Sequence, residues 1–209
     1  MVSTRWKWAV MARTVGSTAV RTRQRVLGAA LDLFARDGYA GTSLRDIAER
    51  LEMTKAALYY HFPSKDQLLL ALVTPLIDEL RGWERDAQGG RAPIRLLLRR
   101  LVDAFDDNRP ILRGILFDPT ARRALRDTHS VPEILQNAER LLARSDDPRD
   151  LLLARCALGT IRGAVITVED VDSLTMSRPP RGTDLAPRLS DSERDAVTDA
   201  AMAALHSGS

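Results

Sequence analysis

The side chains able to do chemistry crowd into one stretch, Thr42 to Lys65, TSLRDIAERLEMTKAALYYHFPSK. It carries hydroxyls at Ser43, Thr54, Tyr59 and Tyr60, cations at Arg45, Lys55 and Lys65, and an imidazole at His61. That inventory suits contact with nucleic acid. A lysine addresses guanine edges or phosphate, and tyrosine and threonine hydroxyls donate to phosphate. Ala56 and Ala57 admit a close approach of backbone to a groove, and an alanine methyl can touch a thymine methyl. A surface helical hairpin whose aromatics pack as core fits the same pattern equally well.

Two short helices must position these groups. Ser43 is an N-cap, and Asp46 three residues on gives a start like a capping box. Leu44, Ile47, Ala48 and Leu51 then recur at steps of three and four, which makes one helix face apolar. Glu52 and Met53 break the pattern. Thr54 caps a second helix that sends Leu58 inward and ends at Phe62-Pro63, since the residue before proline is pushed out of helical geometry. Two helices of this length joined by a three- or four-residue turn have the helix-turn-helix layout, which lays its second helix in the DNA major groove.

The chain resembles the tetracycline-repressor (TetR) family of bacterial transcription regulators. The resemblance is carried by LDLFARDGY, then TSLRDIAERL, then TKAALYYHFPSKDQLL, and covers roughly the first third of the chain. It implies backbone and base contacts at Ser43 and Arg45. It implies a recognition-helix set of Thr54, Lys55, Ala57, Tyr59, Tyr60 and His61, and a phosphate anchor at Lys65. One residue departs from the family pattern: Glu52 stands at the turn position usually held by glycine, where a positive φ costs a non-glycine residue about 1 kcal/mol.

The 209 residues carry a net charge of +3, unevenly spread: residues 1–65 hold a net +6 and the remainder −3. A basic head on a slightly acidic body suits a protein with one DNA-facing end. Arg13, Arg21, Arg23 and Arg25 extend the basic region; the resemblance implies phosphate or minor-groove contact for such an arm, and a solvated charge run is the alternative, above all at Arg13. The single cysteine, Cys156, precludes an intrachain disulfide and points to a reducing, cytoplasmic compartment. It falls in an apolar helical stretch and is expected as a small core residue. No apolar run approaches the roughly 18 residues of a membrane span. Residues 1–17 are expected as a disordered arm, with Met1 and Met11 both candidate starts.

The rest predicts helices throughout, nine to ten in all, for an all-α fold. Residues 18–64 form the DNA-binding domain, with its motif at 43–62, and residues 65–209 a helical ligand-binding and dimerisation domain. The first helix spans about Thr18 to Arg36 and is closed by Gly38. A long helix begins at Ser64 and reaches about Arg85, with Pro75 expected to kink it. Pro93 to Asp107 turns Leu96, Leu97, Leu101, Val102 and Phe105 inward. Helices follow over Ile111 to Phe117, Pro119 to Thr128, Val131 to Arg144 and Asp147 to Val168. A long loop over Glu169 to Leu189 precedes a last helix capped by Ser190 and Glu193.

Gly159 and Gly163, four apart, give one face on which another helix can approach closely. Together with Ala196 and Ala200 of the last helix they form the candidate dimer interface, since the last two helices resemble the pair family members use to dimerise. A two-fold protein implies a palindromic DNA operator. Trp83, Phe105, Phe117 and His129 are candidates for lining a small-molecule effector pocket between body helices.

No motif for catalysis or metal ligation occurs, and neither cofactor nor metal is called for. Cys156 and His129 are the nearest thing to a nucleophile and base, and a small core cysteine with a satisfied histidine accounts for both. The expectation is a transcription regulator, a repressor released from its operator by an effector. The rival is a ligand-binding or scaffold dimer of the same fold without sequence-specific DNA binding.

Overall fold

The structure, a computed structural model, describes residues 18–90, 92–112, 118–126, 131–165 and 188–207. These residues fold as helices with no strand among them. The head comprises α1 (Thr18–Gly41), α2 (Leu44–Arg50) and α3 (Lys55–His61). The body comprises α4 (Lys65–Gln88), α5 (Ile94–Asp107), a short α6 (Arg109–Ile111), α7 (Pro119–Arg126), α8 (Val131–Ala143), α9 (Pro148–Val165) and α10 (Asp191–His206).

The scaffold helix α1 buries Val26, Leu27, Ala30, Leu33 and Phe34, a stripe at helical spacing. Its regular turn stops at Gly38, where φ is 76° and ψ 161°. This conformation favours glycine, and it explains why the helix closes there. One further turn, Tyr39 to Gly41, leads into the head's second helix. Tyr39 is buried with its ring edge-on to Phe34, centroids 5.1 Å apart.

Helix α4 joins head to body along a face of Leu68, Leu69, Leu72, Val73, Leu76, Ile77, Leu80 and Trp83. It runs as one helix through Pro75 to Gln88, three residues beyond the expected end. Proline contributes no N–H to the helix, and the preceding Thr74 hydroxyl bonds back to the Leu70 carbonyl at 2.7 Å. At the far end the Trp83 indole donates to the Leu97 carbonyl at 2.8 Å, pinning α4 to α5.

The register of α5 differs from expectation at one residue. Leu97, Leu98, Leu101, Val102 and Phe105 face the core, while Leu96 is exposed. Nine consecutive apolar or basic positions, Ile94 to Val102, left the phase open, and Leu98 takes the inward place expected for Leu96. Cys156 is likewise a correction: it is exposed, not a core residue. The inner face of α9 is Ala154, Ala157, Ile161 and Val165, and position 156 lies across the helix from it.

Charge ties α10 to α5. Asp106 is fully buried and accepts from Arg109, from Arg194 at 2.7 Å and from the Leu189 amide at 3.2 Å. Around it, Arg194 also pairs with Asp103 at 2.8 Å, and Arg99 reaches Asp195 at 2.7 Å and Asp191 at 3.1 Å. Ser190 and Glu193 close the expected capping box on α10. Residues 1–17, Phe117, His129 and most of the loop over 169–189 lie outside the described residues.

Candidate nucleic-acid interface

Local sequence builds the motif as its pattern requires. The Ser43 side chain accepts from the Asp46 amide at 3.2 Å, and the Asp46 carboxylate accepts from the Ser43 amide at 2.7 Å. That amide, with the Ser43 hydroxyl, holds the Asp46 carboxyl below its usual range. Leu44, Ile47 and Ala48 are buried. The turn then passes through Glu52 with φ at 54°, the left-handed conformation in which glycine is the unstrained residue. So the sequence departs from the family pattern while the backbone keeps the turn. Thr54 Oγ1 accepts from the Ala57 amide at 3.2 Å and starts α3.

Helix α3 has one buried side and one bare side. Leu58 is 0% exposed, whereas Tyr60 is 83% exposed and Tyr59 41%. Thr54, Lys55 and Ala56 are exposed too; Ala57 is half-buried. Lys55 Nζ lies 5.6 Å from the Tyr59 ring centroid, and the Tyr60 and His61 rings meet edge-on at 5.4 Å. Ser43 and Arg45 are exposed beside this face. Arg45 pairs with Glu49 at 2.7 Å, both well exposed, and a pair of that kind is worth so little that the arginine can be drawn away to DNA. The capping hydroxyl of Thr54 accepts from the Ala57 amide through a lone pair and keeps its O–H for donation.

Two basic side chains sit differently from expectation. Lys65 turns inward: its Nζ donates to the Tyr39 carbonyl at 2.9 Å and the Thr42 carbonyl at 3.0 Å, and lies 4.2 Å from the Tyr39 ring centroid. Only one of its three N–H groups is left for a phosphate. Arg23 likewise turns onto the head. It donates to the His61 carbonyl at 3.0 Å and stacks over Phe62 at 4.1 Å. A cation on the last carbonyls of α3 suits the helix dipole and fixes the end of the recognition helix. Sequence gave no sign of this, because the partners are 38 positions apart. Arg21 and Arg25 are exposed.

A second cluster, also missed by sequence reasoning, lies where head meets body. The Tyr39 hydroxyl donates to Asp66 in the first turn of α4. Burial first, and then this carboxylate, push the Tyr39 hydroxyl well above the usual tyrosine range. Asp118, just ahead of α7, accepts from the Thr120 and Ala121 amides on one oxygen and from the Ala40 amide on the other.

Of the proposed pocket residues, Trp83 and Phe105 are buried in the core, Trp83 with its N–H satisfied by Leu97. Beside Trp83, Glu84 carries a buried carboxylate oxygen with no hydrogen-bond partner among the described residues. At the proposed dimer face, α9 and α10 pack together through Ala154, Ala157, Ile161, Thr198 and Ala201. Gly163, Ala196 and Ala200 are exposed and Gly159 is half-buried, with open space beyond both glycines. No group of metal-binding side chains and no helix long and apolar enough to cross a membrane occurs among the described residues.

Comparison with known proteins agrees with this geometry. Residues 26–72 match the family described as bacterial regulatory proteins, tetR family. Over 94 residues the chain is 38% identical to the "Probable acrEF/envCD operon repressor" of Escherichia coli K12, covering 44% of this chain and 43% of that one. The chain thus spans less than half the length of this relative. Over 189 residues it is 25% identical to the HTH-type transcriptional repressor AcnR of Corynebacterium efficiens, covering 81% of this chain and 100% of that one. Among solved structures, Mycobacterium smegmatis AmtR superimposes with a TM-score of 0.67 at 23% identity, over 92% of this chain and 88% of that one. That likeness extends the common fold through the body helices. The module that runs from Val26 to Leu72 is thus similar to that of the tetR family of bacterial regulatory proteins.

Proposed function

We propose that the protein is a transcriptional repressor that binds a palindromic operator as a homodimer and leaves it when a small molecule occupies the body. One observation carries the reading: α3 buries Leu58 and leaves Tyr59 and Tyr60 bare. Large aromatics on the open side of a capped helix, beside Lys55 and Arg45, are what a major groove would cover. Ser43, Arg45, Thr54, Lys55, Tyr59, Tyr60 and His61 make the operator surface, with Ala57 part of the helix's close approach. Lys65 gives at most one donor to phosphate and chiefly holds the head together.

The outward small residues Gly159, Gly163, Ala196 and Ala200 form the dimer face. A two-fold pair then sets two recognition helices on half-sites roughly 34 Å apart, or a multiple of it. The Glu84 oxygen, without a partner among the described residues, supports an effector site in the body, since a buried carboxylate oxygen without a donor is rare unless something else supplies one.

Gel shift on the DNA upstream of the protein's own gene tests the reading. Saturable binding that survives random competitor and falls steeply with salt is the expected result. Binding that competitor abolishes would favour a dimer of this fold that does not read sequence.

A further inference from the structure

We propose that Asp118 is the latch by which the body holds the DNA-reading head, and so a positioning residue for operator binding. The proposal rests on the repressor reading for its consequence, but the latch itself is a matter of contacts. One carboxylate serves two elements that are 78 positions apart. Its Oδ1 accepts from the Thr120 amide at 2.7 Å and the Ala121 amide at 3.1 Å, capping the first turn of α7. Its Oδ2 accepts from the Ala40 amide at 3.1 Å, in the extra turn at the end of α1. Both oxygens are therefore committed, each to a different domain.

The head is shaped to receive it. Gly38 lies at φ 76°, which turns the following amides toward the body, and a Cβ there would stand 3.4 Å from Asp118 Oδ2. The same turn is gripped from behind: Lys65 holds the Tyr39 and Thr42 carbonyls, and the Tyr39 hydroxyl binds Asp66. Thr42 Oγ1 closes the turn on the Gly38 carbonyl at 2.9 Å. Residues 38–42 thus form a rigid knuckle fixed to α4 on one side and to α7 on the other. The next residue, Ser43, caps α2, so a shift of the knuckle moves the helix-turn-helix as a unit. Any change in the body that slides α7 along its axis draws on the Ala40 amide, and the spacing of paired recognition helices follows.

The test compares Asp118→Ser with Asp118→Ala in the full chain. Serine is also an N-cap and keeps the start of α7, but its single short arm cannot reach Ala40. Alanine loses both. Hydrogen exchange should show the Ala40 amide opening about tenfold faster in both variants, while the Thr120 and Ala121 region is disturbed only in Asp118→Ala. On the upstream DNA duplex, Asp118→Ser should lose roughly tenfold in affinity, with binding to a random duplex unchanged. Unchanged exchange at Ala40 in Asp118→Ser would overturn the latch, and so would faster exchange with full operator affinity. If the unaltered protein fails to prefer its upstream DNA, the repressor reading falls instead, and exchange at Ala40 still decides whether Asp118 joins the two domains.

Discussion

Replacing Lys65 with methionine separates two roles that sequence alone cannot tell apart. Methionine keeps most of the stem and removes the ammonium. Two charge-assisted hydrogen bonds are lost, to the Tyr39 and Thr42 carbonyls, together with the cation's contact on the Tyr39 ring. A hydrogen bond to a charged group contributes about 1.5–3 kcal/mol, and an exposed cation–π contact about 0.5–1 kcal/mol. The Tyr39 carbonyl retains the Thr42 amide at 3.4 Å, so the loss is not complete there. A total of about 3 kcal/mol follows, with a fall in melting temperature of about 6–12 °C for a chain of this size. The assay is thermal unfolding followed by circular dichroism, without DNA. If Lys65 were chiefly a phosphate anchor, its removal would weaken DNA binding and leave the melting temperature within about 2 °C of the original; that result would refute the inward reading.

Tyr60→Ala and Tyr59→Ala should leave the melting temperature nearly unchanged, because both rings are open to solvent, and should weaken operator binding by about 1–3 kcal/mol each in a titration against specific and random duplexes. Glu52→Gly relieves a φ of 54° and should raise stability by about 1 kcal/mol in urea unfolding. Tyr39→Phe should change the alkaline limit. The Tyr39 pKa is raised in the folded state, so its contribution is full below about pH 10, the unfolded value, and is lost as pH climbs toward the folded value. The unaltered protein should lose stability over that range, and the phenylalanine variant should show a shallower slope. Asp106→Ala removes the buried carboxylate that Arg109 and Arg194 share and should cost about 3–5 kcal/mol, seen as a lower midpoint in urea unfolding.

Much of the head was legible because its signals are local. Ser43 with Asp46, Thr54, Gly38 and Phe62-Pro63 each mark a helix end through neighbours within four positions, and all four ends stand where they were expected. The alternation of Leu58 with the open tyrosines also lies within one helix. What sequence could not show depends on partners distant along the chain. Lys65 and Arg23 read as phosphate contacts because free cations near a DNA-binding motif have that default. Their carbonyl partners come from other parts of the chain, 23 to 38 positions away. Asp118 drew no expectation from the sequence, because its partner amide at Ala40 lies 78 positions away. In the body, low aromatic content and runs of leucine blurred the phase, so Leu96 was turned inward and Cys156 was placed in the core. Pro75 lies inside α4, which continues past it to Gln88, with the hydrogen bond of Thr74 alongside.

The central claim is that two copies of α3 read one stretch of DNA. Hydroxyl-radical footprinting of the upstream duplex, with the chain-to-duplex ratio taken from sedimentation, tests it most directly. Two chains per duplex are expected, with two symmetric protected patches roughly one helical turn, or a whole number of turns, apart. One chain bound to one patch, or a footprint no different from that on random DNA, would contradict it.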